Sequence, residues 1–362
     1  MLDSLYIKNF RLFKKLIVKK LERVNLIVGK NNVGKTGLLE ALLIYANNAS
    51  PHLLEALISE RCENWDIENR NQLQPADNPL RHLFHERYFP LDEGIEIGSF
   101  IHPSNRIHLR TRYYQTVVNK KGEHHSVPID EPHRDDLADL LMVLEFQEGS
   151  NGKPLPLSYL SIGDSQKHLN TPKAKLAVEF VSANRHKSDK LLAQLWNNIR
   201  LTDLKTEVIT LLQIIEPSIQ DLELTISNDK NIFIIARLKD SKERVPLDTF
   251  GEGMISLFNL TLALVNSSNG FLLIDEFEKG LHYTVQIKVW EIVFKLAKEL
   301  NIQVFATTHS GDCVTAFQAV SENIEEEATL FRLGRSVFTS DDRKVIVIEY
   351  DKEELSKHTK VF

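Results

Sequence analysis

Cysteine is nearly absent. Cys62 and Cys313 are the only two in 362 residues, too few for a disulfide framework and not at the C-x2-C or Cys/His spacing that holds zinc. They imply reduced thiols in a cytosolic protein. Long apolar runs are missing too; nothing approaches the ~20 apolar residues that cross a bilayer. The opening MLDSLYIKNFRLFKK has no apolar stretch leading to a cleavage site, so no secretory signal is expected. Internal repeats and low-complexity segments are not found, which excludes a solenoid.

A large net charge is also lacking. The balance of 44 Lys/Arg against 50 Asp/Glu leaves −6, so the surface is not basic all over. The first thirty residues are the exception. They carry Lys8, Arg11, Lys14, Lys15, Lys19, Lys20, Arg23 and Lys30 against Asp3 and Glu22. Such a patch suits either a nucleic-acid footprint or the solvent-facing side of alternating strands, and the alternation favours the second.

What is present is ordinary globular material, 42% hydrophobic and 26% charged, enough for one large α/β unit or two modest domains. Short β-branched segments at 5–7, 16–18 and 24–28 predict strands, with breaks at Asn9 and Lys14-Lys15. A buried helix is expected over 37–46. Residues 49–180 are harder to read: a hairpin around 119–122, a strand from Ile107 to Val118, turns at 77–79 and 153–156. Helices are expected over 188–216, ending at Pro217, and strands at 222–226 and 232–237. Then strands and helices alternate: helix 254–265, strand 271–275, helix 283–300, strand 302–307, a short helix, and strands at 329–333 and 345–349. That alternation predicts a largely parallel sheet. Glu325-Glu326-Glu327 reads as a solvated loop.

Four motifs carry chemistry. Gly29-Lys30-Asn31-Asn32-Val33-Gly34-Lys35-Thr36, followed by Gly37, satisfies G-x-x-x-x-G-K-[ST] between an apolar strand and an apolar helix. A phosphate has to be gripped by converging backbone N–H groups, and only a glycine-rich loop curls tightly enough. Lys35 supplies the cation for the β/γ-phosphates, Thr36 the hydroxyl for Mg²⁺, and the helix start turns its positive end on the anion. Next, Phe271-Leu272-Leu273-Ile274 forms a buried strand ending in Asp275 and Glu276. Ligands bind at that end of a parallel sheet; Asp275 suits Mg²⁺ through water, and Glu276 suits polarisation of an attacking water. The third motif, Val304-Phe305-Ala306-Thr307-Thr308-His309, brings His309 to the same sheet edge, within reach of a γ-phosphate. The fourth, Phe250-Gly251-Glu252-Gly253, opens another helix with an anion-ready N-terminus.

The order GKNNVGKT, FGEGM, LLIDE, THS resembles the ATPase head of the SMC/RecF branch of the ABC superfamily, and within it the standalone AAA-family ATPases related to the overcoming-lysogenization-defect (OLD) proteins. Ile7-Lys8-Asn9-Phe10-Arg11 and Glu276 to His282 fit that subgroup. The likeness implies an α/β P-loop NTPase fold of ABC type: a largely parallel central sheet, an antiparallel N-terminal β portion and an inserted α/β region. Residues 1–50 and 240–362 would form the ATPase core, and 51–239 an insertion without a long coiled coil. It implies ATP and Mg²⁺ as cofactors, and a homodimer in which Gly251, Gly253 and the following helix cap the partner's nucleotide. Asp275 is cast as the Walker B aspartate, Glu276 as catalytic, Glu278 to His282 as the D-loop, and His309 as the switch histidine. At the position of the family's signature serine stands Gly251, and no Q-loop glutamine is placed. A guanine-reading NKxD pattern is absent, which favours ATP over GTP.

These features imply an ATP-hydrolysing, dimerising switch that regulates a partner acting on nucleic acid, such as a nuclease in antiphage defence or DNA repair. With no room for a toprim domain after Arg335, a nuclease would be a separate protein; DNA is a further candidate partner, a membrane is not. A nucleotide-binding scaffold with little turnover is the alternative. A transporter ATPase subunit fits less well, because the stretch between Thr36 and Asp248 far exceeds a transporter's helical subdomain. His82-Leu83-Phe84-His85 and His124-His125 lack the company a metal site needs.

Overall fold

A computed structural model describes residues 1–64, 77–90, 93–118, 124–129, 140–159, 171–182, 189–226, 232–239, 243–324, 328–336 and 344–350. The expected turn at 119–122 and the acidic run 325–327 lie outside them.

The chain opens with a hairpin, β1 (Leu5–Phe10) and β2 (Phe13–Val18), followed by β3 (Val24–Val28). The expected break at Asn9 is an irregularity within β1, with φ 53°, and the turn itself falls at Arg11-Leu12, where Arg11 has φ 50°. Lys14 and Lys15, where sequence predicted a break, instead lie exposed within β2. The reason is that β2 is an edge strand, where lysines keep their ammonium groups in water while the backbone pairs on one side. Helix α1 (Lys35–Ala46) follows the glycine loop, then α2 (Pro51–Glu60), which begins with proline where a missing N–H costs nothing.

The middle of the chain supplies β4 (Ile95–Gly98), β5 (Ile107–Val118), β6 (His124–Ile129), β7 (Leu140–Glu148), β8 (Leu155–Tyr159) and β9 (Val178–Val181). Helices α3 (Asp189–Ile199) and α4 (Leu204–Leu212) come next, then β10 (Ile219–Ile226), β11 (Ile232–Leu238) and β12 (Arg244–Pro246). The last part runs α5 (Glu252–Asn266), β13 (Phe271–Ile274), α6 (Tyr283–Glu299), β14 (Gln303–Thr308), α7 (Gly311–Asn323), β15 (Ala328–Arg335) and β16 (Val345–Tyr350).

Among the described residues these strands form three sheets. The central one has the order β16-β15-β3-β14-β13-β9 and is parallel throughout except where β16 pairs with β15. The inner strands β3, β13 and β14 are buried on both faces, which is why they read as continuous apolar runs. Val24, Leu26, Leu272, Ile274, Val304 and Ala306 face the core built from α3 to α7. Ile27, Leu273, Phe305 and Phe331 face α1 and the second sheet. That sheet, β2-β1-β4-β5-β7-β8 with β6 on β5, is antiparallel at every pairing. The parallel reading thus holds for the central sheet and not for the whole chain, because the strands of residues 95–159 extend the N-terminal hairpin. The third sheet is β10-β11-β12.

Helix α1 lies within the core between the two larger sheets, with Leu38, Leu39, Ala41, Leu42, Ile44 and Ala46 fully buried. The parallel strands all end at one edge of the central sheet, and the loops that leave this edge carry Gly29, Asp275 and His309. Among the described residues no helix is long and apolar enough to cross a membrane.

Candidate functional site

The loop between β3 and α1 has the backbone its glycines were expected to allow. Gly29 and Gly34 take φ values of 155° and 103°. A Cβ at Gly29 would meet the Leu333 carbonyl oxygen at 2.6 Å, and one at Gly34 the Phe13 ring at 2.8 Å. Any side chain at either position would both strain the backbone and collide. Val33 turns its side chain into the core, so its contribution to a ligand is its backbone. Asn31, Asn32, Gly34, Lys35, Thr36 and Gly37 line a cleft of about 770 Å³ that also contains Asp275 and Glu276. Gly29 and Lys30 instead wall a smaller cavity of about 140 Å³ shared with His309.

Lys35 is folded back on the loop, its Nζ donating to the carbonyls of Gly29 at 2.6 Å and Lys30 at 3.1 Å. Burial holds its pKa below the usual lysine value, against the opposing pull of the Asp275, Glu276 and Glu278 carboxylates. Thr36 Oγ1 donates to Asp275 Oδ2 at 2.9 Å, which joins the first turn of α1 to the end of β13. The other oxygen, Asp275 Oδ1, accepts from Thr307 Oγ1 at 2.7 Å. The same hydroxyl accepts the Glu276 N–H at 2.9 Å, and the Thr307 carbonyl accepts from Phe277 N–H at 2.9 Å. Glu276 sits in left-handed backbone with φ 57°, a conformation that costs a non-glycine residue about 1 kcal/mol or more. The Thr307 hydroxyl is what fixes it there.

His309 follows β14. Its N–H donates to Glu278 Oε1 at 3.0 Å, and its Nδ1 lies 3.0 Å from the same oxygen and 3.8 Å from Glu276 Oε1. Gly251 and Gly253 do not line the cleft of the glycine loop. Gly251 has φ 91° and nothing within 4 Å of a Cβ position, whereas a Cβ on Gly253 would lie 2.7 Å from the Gly280 carbonyl oxygen. The start of α5 therefore packs on the 276–282 loop, and Gly251 faces open space.

Sequence reasoning assigned no role to several cations of the cleft. Arg11, Arg61, Arg87 and Arg335 line it together with His82 and His85. Arg11, with a side chain only 7% exposed, lies 2.6 Å from Glu40 of α1 and 2.9 Å from Glu63. Arg335, at the end of β15, donates to the Asn32 carbonyl at 3.1 Å. Arg11 closes the segment Ile7 to Arg11 that carried the resemblance; nothing near Arg335 in sequence marks it. His85 Nδ1 lies 2.8 Å from the Arg11 carbonyl oxygen, and among the described residues no group of three or more His, Cys, Asp or Glu can hold a metal. The cation that fits is one needing few protein ligands. Thr36 Oγ1 and Asp275 Oδ2 stand 2.9 Å apart, and would suit Mg²⁺, which characteristically uses one or two protein oxygens plus phosphates and water.

Residues 1–148 match the family described as AAA ATPase domain, and residues 178–312 match that described as AAA domain, putative AbiEii toxin, Type IV TA system. An ATP/GTP phosphatase of Helicobacter pylori is 24% identical over 98% of this chain and 97% of its own length. The structure of an SMC head bound to the C-winged helix domain of ScpA covers 98% of this chain and 99% of its own, with a TM-score of 0.51 at 14% identity. The chain is an ATPase that matches AAA domains over residues 1–148 and 178–312 and has the fold of an SMC head. Also similar is the SMC head domain of Thermotoga maritima, at 12% identity and a TM-score of 0.43 over 97% of this chain and 99% of its own. In this ATPase the two family matches meet at the site: the first brings the glycine loop, the second Asp275, Glu276 and His309.

Proposed function

We propose that this ATPase is a nucleotide-driven switch whose hydrolytic centre is the cleft between the glycine loop and the end of β13. The observation that carries the reading is the hydrogen-bonded chain Thr36–Asp275–Thr307–Glu276. It places a hydroxyl and a carboxylate side by side, next to a second carboxylate with no direct bond to Thr36. On this reading Gly29 to Gly37 wrap the triphosphate with backbone N–H groups, and Lys35 exchanges its two carbonyl partners for the β/γ-phosphates. Thr36 and Asp275 hold Mg²⁺, which when bound neutralises charge developing on the phosphate oxygens. Glu276 orients the attacking water, and His309 contacts the γ-phosphate. Residues 1–50 and 240–362 act as the ATPase core, with β9 from the 51–239 stretch completing its sheet.

The position of Gly251 supports the second half of the proposal. The loop is open, lies away from its own chain's glycine loop and is exposed at an α-helix N-terminus, as expected of a surface that caps nucleotide on a second copy. Hydrolysis then controls the association of two heads, and through it a nucleic-acid-directed partner such as a separate nuclease, in antiphage defence or DNA repair. Kinship with the standalone OLD-like ATPases belongs to the same proposal. Calorimetric titration of Lys35→Ala with ATP and Mg²⁺ tests its base: binding should vanish, and unchanged affinity would move the nucleotide elsewhere.

A further inference from the structure

Glu276 and Glu278 emerge two residues apart, yet the fold gives them different surroundings. Phe277 between them is buried, stacks on Trp290 with ring centroids 3.8 Å apart, and donates its N–H to Thr307. The Glu278 carbonyl accepts the Leu281 N–H at 3.0 Å. The backbone at Glu278 is thereby fixed on both sides. Its carboxylate is only 13% exposed, against 34% for Glu276. One oxygen, Oε1, meets both the backbone N–H and the ring Nδ1 of His309; the other, Oε2, is buried without a hydrogen-bond partner. A half-satisfied buried carboxylate is costly to keep, and a purely structural role would be served as well by an amide or a hydroxyl. Glu276 lies farther from the ring, at 3.8 Å, which leaves it available for water.

From this juxtaposition we infer that Glu278 is the positioning residue of His309. By taking Nδ1, it fixes the tautomer and the plane of the ring, and leaves Nε2 as the nitrogen able to meet an anion. When Nε2 carries a proton it is a donor to phosphate. The inference rests on the reading of His309 as a γ-phosphate contact. It adds that two carboxylates are needed at the end of β13 because they do separate tasks: Glu276 faces water and Glu278 faces the histidine.

The test uses the full-length chain with Glu278→Gln, Glu278→Ala, His309→Ala and the Glu278→Ala/His309→Ala double variant. The isosteric Glu278→Gln keeps the shape and decides the matter if the alanine variant does not fold. Turnover should fall about 10-fold in Glu278→Gln and further in Glu278→Ala, in the ~10–100-fold range typical of groups that orient a functional histidine. KM for ATP should change by less than about threefold, since the effect lies after binding. The double variant should be no slower than His309→Ala alone, because both changes break one unit. In ¹⁵N spectra of the nucleotide-free protein, the His309 ring should be held as one Nδ1-protonated form in the wild type and become a tautomer mixture in Glu278→Ala. If His309→Ala is slow while Glu278→Gln stays within twofold of wild type, the positioning role is rejected and the site reading stands. If His309→Ala turns over at the wild-type rate, the reading beneath fails and the inference falls with it.

Discussion

Thr307 Oγ1 donates to Asp275 Oδ1 at 2.7 Å and accepts the Glu276 N–H at 2.9 Å, so one fully buried hydroxyl sets both carboxylates at the end of β13. Thr307→Val keeps the volume and removes both bonds. Two buried bonds of ~1–2 kcal/mol each are at stake. Unfolding in urea should show a loss of about 2–4 kcal/mol, and steady-state assays a turnover reduced more than ATP affinity. A variant with wild-type turnover would show that the left-handed Glu276 backbone holds without this threonine.

Glu276→Gln removes the group assigned to the water while leaving Lys35, Thr36 and Asp275 to bind ATP. It should bind nucleotide normally, hydrolyse it at least ~100-fold more slowly, as general acid–base contributions run, and accumulate as a dimer in light scattering with ATP. Bulk at Gly253 is a poor probe of the partner surface, since a Cβ there already meets Gly280 within the same chain. Glu252→Trp is cleaner, because Glu252 is exposed at the first position of α5. It should block the trapped dimer and leave monomer ATP binding intact. A Glu276→Gln protein that keeps its apo mass with ATP would reject nucleotide-driven association.

The basic start of the chain is only partly available for nucleic acid. Lys8 faces Glu93 and Glu96, and Arg11 is held by Glu40 and Glu63, whereas Lys14, Lys15, Lys19 and Lys20 are exposed, Lys20 with its ammonium 2.5 Å from Glu22. Reversing those four to Glu should weaken DNA binding and flatten its dependence on salt, because each lost phosphate contact releases fewer counterions. Absence of DNA binding by the wild type at low salt, with and without ATP, would leave the patch a solvated face.

The two cysteines should behave oppositely. Cys62 is exposed and Cys313 buried, and burial pushes the Cys313 thiol up to about 12 from 9.0. Maleimide at pH 8 should label one thiol per native chain and two after denaturation. Because the folded value lies above the unfolded one, the stability linked to this thiol is complete below pH 9 and is lost as pH rises from 9 towards 12. Wild type should therefore lose stability relative to Cys313→Ala over that window. Equal pH slopes in urea titrations would argue that Cys313 does not titrate on unfolding.

The eight residues from Gly29 to Thr36 stand out in sequence because the loop proposed to wrap phosphate would make its demands on consecutive positions: positive φ at Gly29 and Gly34, a cation at Lys35, a hydroxyl at Thr36. The buried strands β3, β13 and β14 were legible for a similar reason, since two-sided burial leaves an unbroken apolar run. Within residues 95–159 the strand Ile107–Val118 was legible, but its place in the antiparallel sheet was not, because pairing onto the N-terminal hairpin depends on partners far along the chain. The same holds within the site. Thr36 meets Asp275 across 239 residues, Thr307 meets Asp275 across 32, and Arg335 meets Asn32 across 303. Sequence alone could place Asp275, Glu276 and His309 at strand ends, but which carboxylate takes the histidine and which faces water is fixed by the register of β13 against β14. That register is decided by packing on both faces of the central sheet, a property of the whole fold and of no single segment.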